Sequence, residues 1–183
     1  VMTVAKQERV KLAGKAVFGF GLLFVGIETM GSVMKPLASN PVFTDMIAQV
    51  AGVPVLGVVV GAVMTLIVQS SSATIAVLQN FAAQPGPDGA SILGLEGAIP
   101  ILLGDNLGTT VTALLASIGQ SRDAKRVALA HCIFNLSGCL LFVGLTGPFA
   151  SLVAALPPSG AGVEVIARQI ANAHTCFNVA MTL

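Results

Sequence analysis

Charged side chains are absent from residues 46–87 and, with histidine counted as neutral, again from 127–162. Either run is longer than the ~20 apolar residues that one transmembrane helix needs. Ahead of them, an apolar helical pattern runs from Val10 to Lys35 and is expected to end at Pro36. It carries Gly19, Gly21, Gly26 and Gly31, small residues that let helices approach closely in lipid. Pro41 to Ala51 is short and amphipathic, suited to the membrane interface. Pro54 to Ala83 is apolar except for the tract Gln69-Ser70-Ser71-Ser72-Ala73-Thr74 in its middle. Gln84-Pro85-Gly86-Pro87-Asp88-Gly89 punctuates the chain as a surface turn. Leu95 to Ser117 is apolar again, cut by Gly104-Asp105-Asn106-Leu107-Gly108. A helix is expected over 123–145, with Asp123 as its cap and Gly147-Pro148 as its stop. Another begins near Val163 and is still running at Leu183. The pattern predicts an all-α membrane protein.

Composition agrees: of 183 residues 55% are hydrophobic and 9% charged, where soluble domains hold about 25% charged. Tyr and Trp are absent, so any interfacial aromatic belt rests on nine Phe. A net charge of +1 gives no footing for nucleic acid. Cys132, Cys139 and Cys176 lie in apolar helical stretches without metal spacing and read as small core residues. No signal peptide is visible. The start at Val1 and the end inside an apolar pattern at Leu183 read as a segment of a longer protein.

Charge placement sets the expected topology. Residues 1–15, with Lys6, Arg9, Lys11 and Lys15, form a basic lead that belongs in the cytoplasm, and residues 16–183 form the membrane domain. The first helix then delivers Lys35 outside. Arg122, Lys125 and Arg126 return to the cytoplasm only if one interrupted stretch turns back. Residues 54–83 divide into halves of about 15 residues, each too short to span alone. They are expected to form a re-entrant helical hairpin with its tip near Ser70–Ser72. Residues 95–118 are expected to cross as a transmembrane helix broken near Gly104–Gly108.

Five polar side chains within Gln69–Thr74 need partners, because burying one hydroxyl or amide alone costs roughly 2–7 kcal/mol. Backbone breaks at membrane depth are tolerated where they line a cavity. Ser71, Ser72 and Thr74 open one expected half-helix, and Thr109, Thr110 and Thr112 open the other. Helix starts offer unpaired N–H groups and about +0.5 of charge, so two of them aimed at one point cradle an anion. Half-helix ends near Val68 and Leu103 offer carbonyls suited to Na⁺, the pattern of a secondary transporter. The plainer readings are interhelical hydrogen bonding for the first tract and an ordinary loop for the second. Asp105 has two readings: a functional carboxylate that binds Na⁺ or takes a proton, or a cap for a half-helix starting at Leu107. His131 and His174 share the text His-x-x-Phe-Asn. They read as two helices packing alike with His and Asn bonded across the interface, with a proton relay or a metal pair as alternatives.

The two tracts, in this order and spacing, resemble the paired motifs of the sodium–phosphate cotransporter family. There the first reads Gln-Ser-Ser-Ser and the second usually Gly-Ala-Asn-Ile-Gly-Thr-Thr or -Ser; here Asp105 stands where Ala is common. The stretches Arg126–Asn135 and Ala173–Asn178 are similar to the region that follows the second motif in bacterial members. Family members carry the unit twice as inverted repeats, so the chain resembles a C-terminal half. The resemblance implies sodium-coupled transport of inorganic phosphate at the plasma membrane, a bacterial inner membrane, by a multi-pass protein that is not an enzyme. It places Gln69, Ser70, Ser71 and Ser72 in the substrate and sodium site, supported by Asn106, Thr109 and Thr110. Na⁺ as coupling ion would be held through Gln69, Ser71, Asp105 and Asn106. The expected partners are phosphate, the lipid bilayer, and an upstream repeat or a second copy. Rival readings are a carrier of another small oxyanion, a non-transporting scaffold or regulatory subunit, and an intramembrane serine hydrolase using Ser71 or Ser72. The last lacks a Gly-x-Ser-x-Gly elbow.

Overall fold

A computed structural model of the chain describes residues 7–38, 40–86, 88–160 and 162–182. Lys6 of the basic lead, Pro87 of the turn and Leu183 lie outside the described residues. Eight helices are described: α1 Glu8–Ala38, α2 Pro41–Gly52, α3 Pro54–Val68, α4 Ser71–Ala82, α5 Gly94–Ala116, α6 Arg122–Val143, α7 Thr146–Ala154 and α8 Val163–Thr182. The protein is an all-α membrane protein. The stretches Glu8–Val33, Gly94–Ala116 and Arg122–Val143 are long and apolar enough to cross a bilayer, while the residues 44–52 and 54–68 make a pair bent by 113°.

Several boundaries differ from those expected. Pro36 does not end α1, which runs on to Ala38; a proline one turn from a helix end removes little intrahelical bonding. The cap of α6 is Ser121, whose hydroxyl accepts from the Ala124 N–H at 3.2 Å, and not Asp123. Gly147-Pro148 lies in the first turn of α7, where proline is tolerated, so it opens a helix instead of only stopping one. α8 is not among the helices apolar enough to span. It buries Ile166, Ile170, Ala173 and Phe177 along one stripe and turns Glu164, Arg168 and Thr175 outward. The largest difference is in α5. Residues 94–116 form one uninterrupted helix with no break at Gly104–Gly108. Thr109, Thr110 and Thr112 return their hydroxyl protons to the carbonyls of Asn106, Leu107 and Thr109 at 2.6–2.7 Å, which satisfies these side chains without unwinding the backbone.

Helix α5 is the axis of the fold. It contacts α2, α3, α4, α6, α7 and α8 and buries Ile99, Leu102 and Leu103 completely. Phe142 stands edge-on to the buried Phe149 and Phe177, at 5.0 and 5.2 Å between ring centres. The apolar stretch of α1, by contrast, buries no residue, and Ile27, Met30 and Gly31 are half-buried near its end. Gly19, Gly21 and Gly26 have open space around them; of the four glycines expected to admit a neighbour, Gly31 does, facing the Asn80 side chain. The close approach in this molecule lies elsewhere, between α3 and α5. A methyl group on Gly61 would meet the Ile101 carbonyl oxygen, and one on Gly104 the Val58 carbonyl oxygen. One on Gly57 would lie 2.7 Å from Pro100 Cβ, and one on Gly108 2.8 Å from Thr65 Cβ. Two glycines on each helix, four residues apart, thus let the two backbones touch.

Candidate functional site

The chain reverses at Gln69–Ser70, between α3 and α4. Gln69 takes the left-handed conformation, φ 56° and ψ 27°, and its N–H closes the last turn of α3 on the Thr65 carbonyl at 2.7 Å. A non-glycine residue held there costs of order 1–3 kcal/mol, a strain typical of ligand-binding turns. Ser70 is extended and caps α4: its hydroxyl accepts from the Ala73 N–H at 3.3 Å, and its carbonyl accepts from the Thr74 N–H at 2.9 Å. Ser71 and Ser72 stand in the first turn of α4, where N–H groups have no carbonyl of their own helix to donate to. Gln69, Ser70 and Ser72 are exposed and Ser71 is half-buried.

Below this turn the two arms close on α5. The close packing of glycines sets the Thr65 hydroxyl of α3 2.5 Å from Asp105 Oδ1, 3.0 Å from the Gly61 carbonyl oxygen and 3.3 Å from the Thr74 hydroxyl of α4. Thr65, Thr74 and Asp105 are fully buried, with relative exposures of 1%, 0% and 0%. The Thr74 hydroxyl also lies 3.1 Å from the Ser70 carbonyl oxygen, at the turn itself. One hydroxyl carries one proton, so Thr65 donates to a single acceptor at a time. The second carboxylate oxygen, Asp105 Oδ2, is buried without a hydrogen-bond partner among the described residues. An unmade bond on a buried polar atom costs about 1–3 kcal/mol, and more on a charged one.

A buried carboxylate oxygen left without a partner, with the Thr65 and Thr74 hydroxyls close to the same side chain, is the kind of oxygen ligand that a hard cation takes. Among the described residues no three His, Cys, Asp or Glu side chains gather as metal ligands, so the set is one carboxylate with neutral oxygens. Of the residues singled out in the sequence, the structure joins Asp105 and Thr74. Asn106 is buried beside them but donates its amide to the Leu102 carbonyl at 2.9 Å, within its own helix. Thr110 is buried, and Thr109 and Thr112 are half-buried on α5. Since α5 is continuous, no second helix start exists at Thr109–Thr112, and Asp105 caps no half-helix. Thr65, which the sequence did not single out, is the residue that touches both partners. The histidine pair behaves alike but not as expected: Asn135 and Asn178 donate to the His131 and His174 carbonyls of their own helices, at 3.1 and 2.8 Å, and not across an interface.

Comparison with known proteins points one way. Residues 26–156 match the family model described as Na+/Pi-cotransporter. The chain is 30% identical over 173 residues to the uncharacterized protein YqeW of Bacillus subtilis, covering 94% of this chain and 52% of that one. It is 36% identical over 143 residues to human sodium-dependent phosphate transport protein 2B, covering 72% of this chain and 19% of that one. To the rat sodium-dependent phosphate transport protein 2C it is 42% identical over 91 residues, covering 48% and 14%. The chain therefore spans about half of the Bacillus relative and a smaller part of the mammalian ones. No solved structure matches it.

Proposed function

The chain belongs to the Na+/Pi-cotransporter family, and from that membership and the geometry of the α3–α4 turn we propose that it is one repeat of a sodium-coupled carrier of inorganic phosphate. The observation that carries the reading is the buried, unpartnered Asp105 Oδ2 beside Thr65 and Thr74, directly beneath the Gln-Ser-Ser-Ser turn. A carboxylate there repels a phosphate, and a cation between them removes the repulsion and binds both. Phosphate lies against the start of α4, where the first-turn N–H groups, the positive helix end and the hydroxyls of Ser70, Ser71 and Ser72 favour an anion. Na⁺ is cargo on the inner side of the same turn, taken by Asp105 with Thr65 and Thr74, beneath Gln69 and Ser71. Asn106, Thr109, Thr110 and Thr112, bonded back to carbonyls of their own helix, form the α5 wall of the site.

In the proposed setting the hairpin of α3 and α4 is re-entrant, the basic residues of the lead, which run into the first turns of α1, and those at the start of α6 face the cytoplasm, and the membrane is a bacterial inner membrane. The site is completed by an upstream repeat or by a second copy.

The test is uptake of labelled phosphate into proteoliposomes holding the full-length protein that contains this chain. An inward Na⁺ gradient is expected to drive uptake, and Asp105→Asn to remove the Na⁺ dependence. Uptake equally fast without Na⁺ overturns the sodium reading. Stronger competition by sulfate than by unlabelled phosphate overturns the substrate and favours another small oxyanion.

A further inference from the structure

The α3–α5 pair is clamped through backbone contact at Gly57, Gly61, Gly104 and Gly108. α4 has no such clamp on α3. The side-chain hydrogen bond that links the two arms is Thr65 to Thr74, and Thr65 is also the neighbour of Asp105. We propose that Thr65 is a positioning residue that couples cation occupancy at Asp105 to the shape of the Gln69–Ser72 turn. The inference rests on the sodium reading above.

The argument is proton arithmetic. Thr65 and Thr74 each have one hydroxyl proton, and between them stand the carboxylate, each other and the Ser70 carbonyl. With the carboxylate bare, the charge holds the Thr65 proton, since bonds to ionised acceptors are the stronger ones. Thr65 can then only accept from Thr74, so the Thr74 proton is divided between Thr65 at 3.3 Å and the Ser70 carbonyl at 3.1 Å. With a cation on the carboxylate and on the lone pairs of Thr65, the Thr65 proton turns to Thr74. Thr74, now accepting from Thr65, then gives its proton to the Ser70 carbonyl alone. That carbonyl also accepts from the Thr74 N–H and belongs to the residue that caps α4. A cation therefore firms the turn that presents the Ser71 and Ser72 amides. Among the described residues no hydrogen bond joins Asp105 to the turn directly; Thr65 and Thr74 are the link.

The experiment reads two quantities on the full-length purified protein with native cysteines replaced by alanine: binding of radioactive Na⁺, and the rate at which a thiol reagent modifies Ala73→Cys, an exposed position on the first turn of α4. Na⁺ is expected to slow modification roughly three- to tenfold, the factor that one net hydrogen bond is worth. Thr65→Ser keeps this response. Thr65→Val is expected to need more Na⁺ for saturation, and at saturating Na⁺ its modification rate no longer responds to the ion. Thr74→Val, which leaves the Asp105–Thr65 bond intact, gives the same result should Thr65→Val fold badly. A full Na⁺ response in both valine variants overturns the coupling, and so does an unresponsive Ala73→Cys in a protein that binds Na⁺. Loss of Na⁺ binding in Thr65→Val with the response kept in Thr74→Val makes Thr65 a plain ligand and also overturns it. If the parent protein binds no Na⁺, the sodium reading itself falls.

Discussion

Replacing Gly104 by alanine tests whether backbone contact between α3 and α5 builds the site. The new methyl group would press on the Val58 carbonyl, 2.8 Å from its carbon, and lie 2.9 Å from the Ala62 nitrogen. Ordinary carbon contacts fall near 3.5–4.0 Å, so the helices must part by about 1 Å, and a gap of that size forfeits up to about half of the dispersion energy of the facing atoms. Overpacking of this kind costs about 1–3 kcal/mol. The Thr65–Asp105 bond, 2.5 Å in the native packing, stretches past the useful range, which adds about 1.5–3 kcal/mol for a bond to a charged group. A total near 4 kcal/mol, at about 2–4 °C per kcal/mol for a chain of this size, lowers the melting temperature by about 8–16 °C. The assay is the fraction of monodisperse protein left after heating in detergent, compared with Gly19→Ala, whose added methyl meets nothing within 4 Å. Gly19→Ala is expected to melt with the parent. If Gly104→Ala melts with it too, the tight α3–α5 contact is not what holds Thr65 on Asp105.

Ser70→Ala removes the cap of α4 and should cost about 0.5–2 kcal/mol, with Ser70→Asn restoring most of it; equal melting of all three proteins would contradict the cap. Gln79 donates to the Ala167 carbonyl of α8 at 2.8 Å, and Asn80 to the Ile27 carbonyl of α1 at 3.1 Å. Gln79→Leu and Asn80→Leu should each lower stability by about 1 kcal/mol, and their effects should add because the bonds reach different helices; a double variant no worse than either single one refutes that. Fluorophores at Phe20 and Leu140, both exposed, should be quenched by brominated lipid, and one at the buried Phe177 should not; equal quenching at the three would refute the packing of α8 against α5.

Helices and their apolar faces were legible because each is written locally. The end of α3 and the start of α4 fell where the polar tract interrupts the apolar run, since serine at a helix start and a crowded set of hydroxyls both resist a continuous apolar helix. The break expected in α5 failed for a local reason as well. Gly104 and Gly108 read as unwinding points, but both are spaces for α3, and the threonines that follow satisfy themselves on carbonyls one turn back. Sequence position alone does not separate a glycine that frees the backbone from one that admits a neighbour. The partner pattern would have done so: Gly57, Gly61 and Thr65 lie four apart on α3, opposite Gly104 and Gly108. Reading the two rows against each other puts Thr65 beside Asp105. Read singly, Thr65 is one hydroxyl in an apolar helix, and its role is visible only through a contact 40 residues away. The glycines of α1 mislead in the opposite direction, because no described helix packs on Gly19, Gly21 or Gly26.

Equilibrium binding of labelled phosphate to the purified full-length protein, titrated with and without Na⁺, probes the shared cluster at Asp105, Thr65 and Thr74. If one cation there joins the anion to the carboxylate, Na⁺ raises phosphate affinity by a factor in the range of about 5–150, phosphate raises Na⁺ affinity by the same factor, and Asp105→Asn abolishes both. Phosphate affinity that is equal in the presence and absence of Na⁺, or Na⁺ dependence that survives Asp105→Asn unchanged, contradicts the account.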